Sequence, residues 1–132
     1  VTDAEIPKTI VGRTNTPSLT PVPSTSLAWL AEAHADGARK YGPLNWRETP
    51  IPLTIYIDAM VRHLLALREG QDCAPDSGLP HLAHVMAGAS IVLDAEACGT
   101  LIDDRENGRI DAYEFTLTEI ARIRRARCER DA

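Results

Sequence analysis

The sequence predicts an all-α fold: a compact domain of three core helices, a C-terminal helix and an extended N-terminal arm. Three observations predict it. Apolar residues recur at helical spacing in segments starting near residues 24, 53, 81 and 111. No segment alternates apolar and polar residues as a half-buried strand does. Glycine and proline pairs punctuate the chain between the periodic segments, at Gly42-Pro43, Pro50/Pro52, Gly70 and Gly78/Pro80.

A chain of 132 residues suits one domain with a modest core. One Phe, two Trp and three Tyr leave that core mostly aliphatic. The net charge of −5 argues against a general nucleic-acid binder. It leaves room for a small anionic ligand, which needs only local cations. Cys73, Cys98 and Cys128 are odd in number and widely spaced, as expected of free thiols in a reducing cytoplasm. No apolar run reaches membrane-spanning length and no leader-like segment is visible, so neither membrane nor secretion is expected.

Residues 1–23 carry Pro7, Pro17, Pro21 and Pro23 among Thr, Ser and Asn, a composition that predicts an extended arm, either loose or laid across a partner subunit. Residues 24–105 form the predicted core. Its first helix starts near Ser24–Ser26, with a serine as N-cap, and ends at Gly42-Pro43. The turn that follows includes Lys40, Asn45, Trp46 and Arg47. Lys and Arg can hold phosphate, Asn can bond a base edge or sugar, and Trp can stack on a base; a turn with its Trp plugged into the core is the plainer account.

The second helix runs from about Leu53 to Glu69. At about 100° per residue, Ile57, Met60, Val61, Leu64 and Leu67 share one face, Asp58, Arg62 and Glu69 share the opposite edge, and His63 lies on the other shoulder beside Tyr56. An Asp58–Arg62 ion pair is expected. The loop Gly70–Pro80 holds Asp72, Asp76 and Ser77; Asp76 or Ser77 is expected to cap the third helix, with Pro80 in its first turn. That helix, about His81 to Cys98, is apolar nearly all round, as in a central or interface helix. Its small residues Ala83, Ala87, Gly88 and Ser90 predict close approach by a helix or ligand, and His81 and His84 share a flank. Residues 106–132 contain the terminal amphipathic helix, its end crowded with Arg122, Arg124, Arg125, Arg127 and Arg130.

No phosphate-binding glycine loop, zinc-protease motif or nucleophile elbow is present. What remains is a carboxylate and histidine cluster between Arg62 and His84. Glu69, Asp72 and Asp76 suit a hard divalent cation such as Mg²⁺ or Mn²⁺ that bridges phosphates. His63, His81 and His84 leave zinc open.

Three groups of residues, taken in order, resemble a small, largely phage-borne family described as dATP/dGTP diphosphohydrolase-like, N-terminal domain. They are Lys40-Tyr41-Gly42…Asn45-Trp46-Arg47, Arg62-His63-Leu64…Glu69-Gly70-Gln71-Asp72…Asp76-Ser77-Gly78…His81-Leu82-Ala83-His84, and Asp94…Gly99…Ile102-Asp103-Asp104-Arg105. The resemblance spans about Pro17 to Arg105. One departure is Gln71, where the family often has Glu. The resemblance implies a metal-dependent purine deoxynucleoside triphosphate diphosphohydrolase. It makes His63, His84 and Asp76 the catalytic candidates. Lys40, Asn45, Trp46, Arg47, Arg62, His81, Asp103, Asp104 and Arg105 are the candidates for binding nucleotide, and Glu69, Asp72 and Asp76 for binding metal. A binding module that sequesters a nucleotide or nucleotide-derived immune signal uses the same residues, and an interaction protein needs them only as caps. At least a dimer is expected, in the cytoplasm of the host cell if the chain is phage-encoded.

Overall fold

The computed structural model describes residues 7–132. Its elements in order are α1 (Pro7–Thr14), α2 (Ser24–Tyr41), a 3-10 turn (Asn45–Arg47), β1 (Ile51–Pro52), α3 (Leu53–Arg68), α4 (His81–Ala97), β2 (Leu101–Ile102) and α5 (Ile110–Asp131). The all-α expectation holds, with its three core helices and terminal helix. Part of the arm, residues 1–6, lies outside the described residues. The rest departs from an extended arm: Pro7 opens α1, where its missing N–H is not needed and its fixed φ suits the first helical position, and a turn closed by the Val22 N–H on the Leu19 carbonyl follows.

Helix α4 is the centre, with α3 packed along one side and α2 along another. Its small residues permit this. Ala33 of α2 meets Ala83 and Ala87 in one buried cluster, against Leu30 and Leu79. Trp46, Ile51 and Ala95 form a second, with Tyr56, Ile91 and Leu101 around it. A Cβ on Gly88 would lie 2.9 Å from Met60 Cγ of α3, so glycine sets that helix spacing. The most completely buried residues are the alanines Ala74, Ala83 and Ala95. Leu82 and Leu93 of α4 remain exposed, and among the described residues α5 has no extensive packing on another element.

Two short parallel strands join the ends of the core, pairing Ile51 with Leu101 and Pro52 with Ile102. The sequence hides them because two residues are too few to alternate.

The caps also differ from expectation. Pro23, Pro52 and Pro80 each stand just before the first residue of a core helix, and no serine or aspartate caps α2 or α4 from the preceding residues. Pro fixes φ there, and an N-cap residue has no use for its own N–H. Asp104, fifty positions away in sequence, reaches the first turn of α3 instead: its Oδ1 accepts the Thr54 N–H at 2.9 Å and its Oδ2 accepts the Thr54 hydroxyl. These bonds hold the Asp104 carboxyl below its ordinary range. At the far end of α2, Gly42 leaves the helix at φ 90°, and Leu44 follows with φ 54°, a left-handed conformation uncommon for leucine.

Asp104→Ala is expected to lower the Tm at neutral pH. A carboxyl whose folded pKa is depressed stabilises the fold above its unfolded pKa and stops doing so as pH falls through the folded value. The gap between wild type and variant should therefore close on acidification, as thermal melts followed by circular dichroism at neutral and strongly acidic pH will record.

Candidate functional site

A cavity of about 770 Å³ opens between α2, α3, α4 and the Tyr41–Trp46 segment. The sequence places small residues on α2 (Ala31, Ala35, Gly37, Ala38) and on α4 (Ala87, Gly88) along it, and these leave the space open. Six of the candidate residues line it: Lys40, Asn45, Trp46, His63, Asp76 and His84.

The three histidines of the Arg62–His84 stretch meet across the α3–α4 interface. His63 Nδ1 and His81 Nδ1 lie 2.7 Å apart, and His81 Nε2 lies 2.8 Å from the Gln71 amide oxygen. His63 and His84 stack, with ring centroids 4.9 Å apart and planes 12° from parallel. His84 Nε2 in turn lies 2.7 Å from Ser77 Oγ, which also accepts the Leu79 N–H.

The protons follow from chemistry. The Gln71 oxygen only accepts, so His81 Nε2 donates to it. A neutral His81 then has its lone pair on Nδ1, and His63 Nδ1 must donate there. In neutral His63 the lone pair is left on Nε2, on a ring that lines the cavity. Burial lowers the His63 pKa, and the neighbouring His84 and His81 lower it further against an opposing pull from Asp76, a balance that favours the neutral ring.

His81 itself is 4% exposed and is outside the cavity lining, with both its nitrogens engaged by His63 and Gln71. Gln71 is therefore the acceptor that sets the tautomer of this pair. Nothing local in the sequence marks that role; it depends on the loop returning Gln71 to the start of α4, where the Asp72 carbonyl accepts the His81 N–H.

On the α2 side, Lys40 Nζ lies 3.1 Å from the buried Asp36 and 3.3 Å from Asp76 of the loop. Asp36 also pairs with Arg39. These hydrogen bonds raise the Lys40 pKa, Asp36 first and then Asp76, and Lys40 lowers that of Asp76. Asp36 was legible only as a helical residue; its burial comes from the packing of α2. His34 Nε2 meets Ser90 Oγ at 3.0 Å across α2 and α4, and both line the cavity.

Asp94, also in the lining, accepts from Trp46 Nε1 at 2.7 Å and from Arg47 Nε and Nη2 at 2.8 and 2.9 Å. Arg47 and then Trp46 hold its carboxyl far below the usual range. Arg47 is thus committed to a bidentate pair with Asp94. Trp46 is 7% exposed, part of the core as well as of the cavity wall.

Arg47, Arg62, His81, Glu69, Asp72, Asp103, Asp104 and Arg105 are outside the cavity lining. Arg62 is exposed, and the expected Asp58–Arg62 pair is absent among the described ion pairs. Asp103 bonds Arg105 through both its oxygens, and Asp104 caps α3. Glu69 pairs with Arg68 at the surface, Asp72 is exposed, and Asp76 is held by Lys40. Among the described residues no three His, Cys, Asp or Glu side chains gather as metal ligands. Glu69, Asp72 and Asp76 in this arrangement do not fit a resident cation.

Residues 9–105 match the family model described as dATP/dGTP diphosphohydrolase, N-terminal. A dATP/dGTP diphosphohydrolase of Salmonella phage PMBT28 is 35% identical over 63 residues, which are 48% of this chain and 21% of the phage protein. No solved structure matches the chain. No helix among the described residues is long and apolar enough to cross a membrane.

Asp94→Asn is expected to loosen the Asn45–Arg47 turn. The Tm should fall at neutral pH, with a change in Trp fluorescence as Trp46 loses its charged acceptor. Acidification to below the ordinary carboxylate pKa should reduce the difference, since the Asp94 contribution is present above that pKa and is lost as pH falls.

Proposed function

Because the chain belongs to the dATP/dGTP diphosphohydrolase N-terminal family, we propose that its cavity takes a purine deoxynucleoside triphosphate and hydrolyses it to the monophosphate and pyrophosphate. The observation that carries this reading is a cavity-lining His63 whose Nδ1 is occupied by His81, which leaves Nε2 as a base, with a lowered pKa that favours its neutral form. A volume of about 770 Å³ accommodates a nucleotide.

In this reading His63 Nε2 takes a proton from a water whose oxygen attacks the α-phosphorus. The bond from that phosphorus to the bridging oxygen breaks, and pyrophosphate leaves with the electron pair. His81 and Gln71 are positioning residues that keep the lone pair on Nε2. His84 stacks on His63 and limits its rotation. Lys40 supplies charge for the phosphates, and Trp46 with Tyr56 forms the wall for the base. Burial raises the Tyr56 pKa and keeps its phenol a hydrogen-bond donor.

Asp36, Asp76 and Asp94 give the cavity more acid than base, which opposes a bare triphosphate. A divalent cation, Mg²⁺ or Mn²⁺, therefore belongs to this reading as the counter-ion that arrives on the substrate.

Pyrophosphate release with each of the four deoxynucleoside triphosphates, with Mg²⁺ or Mn²⁺ and at high protein concentration, tests the proposal. Turnover of dATP and dGTP above dCTP and dTTP is expected. His63→Ala should lower kcat/KM by about 10²–10⁴-fold, the usual contribution of a general base. No turnover of any of the four would sink it. Recovery of tightly bound, intact nucleotide would then support the sequestering role.

The pH profile gives a second test. Activity should rise with pH through a limb below the ordinary histidine value and then level off, because the base must be neutral. Gln71→Glu places an anion on His81, favours the protonated pair and should move that limb to higher pH. A limb that does not move removes Gln71 and His81 from the mechanism.

A further inference from the structure

Helix α5 is 22 residues long and, among the described residues, has no buried side chain and no extensive packing on another element. Helices owe most of their stability in proteins to a packed apolar face, and the described residues leave this one's apolar face largely exposed. Ile110, Tyr113, Leu117 and Ile120 follow one another three and four residues apart and are all exposed. At about 100° per residue, Arg124 and Arg127 continue the same stripe, and the six fall within an arc of about 100°. Phe115 lies off it.

Charge divides the helix in two. Residues 110–120 carry Asp111, Glu114 and Glu119 and no base, whereas residues 121–131 carry five arginines, Arg122, Arg124, Arg125, Arg127 and Arg130, against Glu129 and Asp131. Some of these charges are satisfied within the chain: Arg109 pairs with Asp111 and Arg122 with Glu119. Among the described residues Glu114, Arg124, Arg125, Arg127 and Arg130 have no ion-pair partner. The helix macrodipole favours acid at the start and base at the end on any face. It does not explain why two arginines extend the apolar stripe itself.

We propose that α5 is covered by the α5 of a second copy of this chain, running antiparallel. That arrangement brings Leu117 of each copy against Ile120 of the other at the centre. It lays the stems of Arg124 and Arg127 over Tyr113 and Ile110 of the other copy, with a guanidinium on the Tyr113 ring. It also sets the acidic half of each helix beside the basic half of its partner. A parallel pair would oppose Arg124 to Arg124 and Arg127 to Arg127 in the seam, where like charges repel. The proposal concerns assembly alone and is independent of the reaction assigned to the cavity.

Light scattering of the full chain after gel filtration, over a dilution series, should give twice the 14.4 kDa chain mass at the concentrated end. Leu117→Glu with Ile120→Glu should give the single-chain mass at every concentration, with loss of helical circular dichroism from α5. Orientation is read by cross-linking in a background where Cys73, Cys98 and Cys128 are serine. Leu117→Cys and Ile120→Cys proteins, mixed and oxidised, should form a heterodimeric disulfide, whereas neither should cross-link efficiently alone. A wild-type chain that stays monomeric overturns the proposal. So does a dimer that survives the double Glu substitution, or efficient self-cross-linking of Leu117→Cys, which marks a parallel pair.

Discussion

Everything in the core depends on how closely two helices can approach α4. Ala83 and Ala87 let α2 come in through Ala33, and Gly88 lets Met60 of α3 sit where a Cβ would otherwise stand. Large apolar side chains on α4 would push both neighbours outward. Small ones hold them near, but each contact removes little apolar area from water, and burial stabilises by roughly 25 cal/mol per Å². Specificity in this fold is consequently shared with polar ties between elements: Asp104 to α3, Asp94 to Trp46 and Arg47, His34 to Ser90, and the paired histidines.

The same small residues make the cavity. Ala87 and Gly88 face it from α4, and alanines and Gly37 from α2. Close packing at one level of the helices and open space at another come from one set of substitutions. The histidines take the place where a tight apolar contact between α3 and α4 would otherwise be made, and burial there is the main reason the His63 pKa is lowered.

Periodicity and punctuation made the helices legible, since α2, α3, α4 and α5 begin and end close to where glycine, proline and apolar spacing put them. The shoulder position of His63 beside Tyr56 was legible as well, and both line the cavity. Other features were not. The cap of α3 comes from Asp104 through the strand pairing, and no local pattern links Thr54 to a residue fifty positions later. Gln71 read as a missing carboxylate, but its amide oxygen orders two histidines. Arg47 and Trp46 read either as ligand groups or as a turn with its Trp in the core, and Asp94, half the core away in sequence, engages both. In each case the deciding partner was distant in the chain, and composition carries no record of distance.

Leu44 stands in a left-handed conformation that costs an ordinary side chain about 1–2 kcal/mol. Such a conformation persists only where its surroundings over-determine it. Here Gly42 turns the chain on one side, and the Arg47 fork and the Trp46 indole clamp it to Asp94 on the other. The Tyr41–Arg47 segment is accordingly a fixed jaw. The facing loop reaches α2 through the exposed Lys40–Asp76 contact, a much weaker fastening. Of the two fastenings at the mouth, the Arg47–Asp94 fork is bidentate and charge-assisted, whereas Lys40–Asp76 is a single exposed pair.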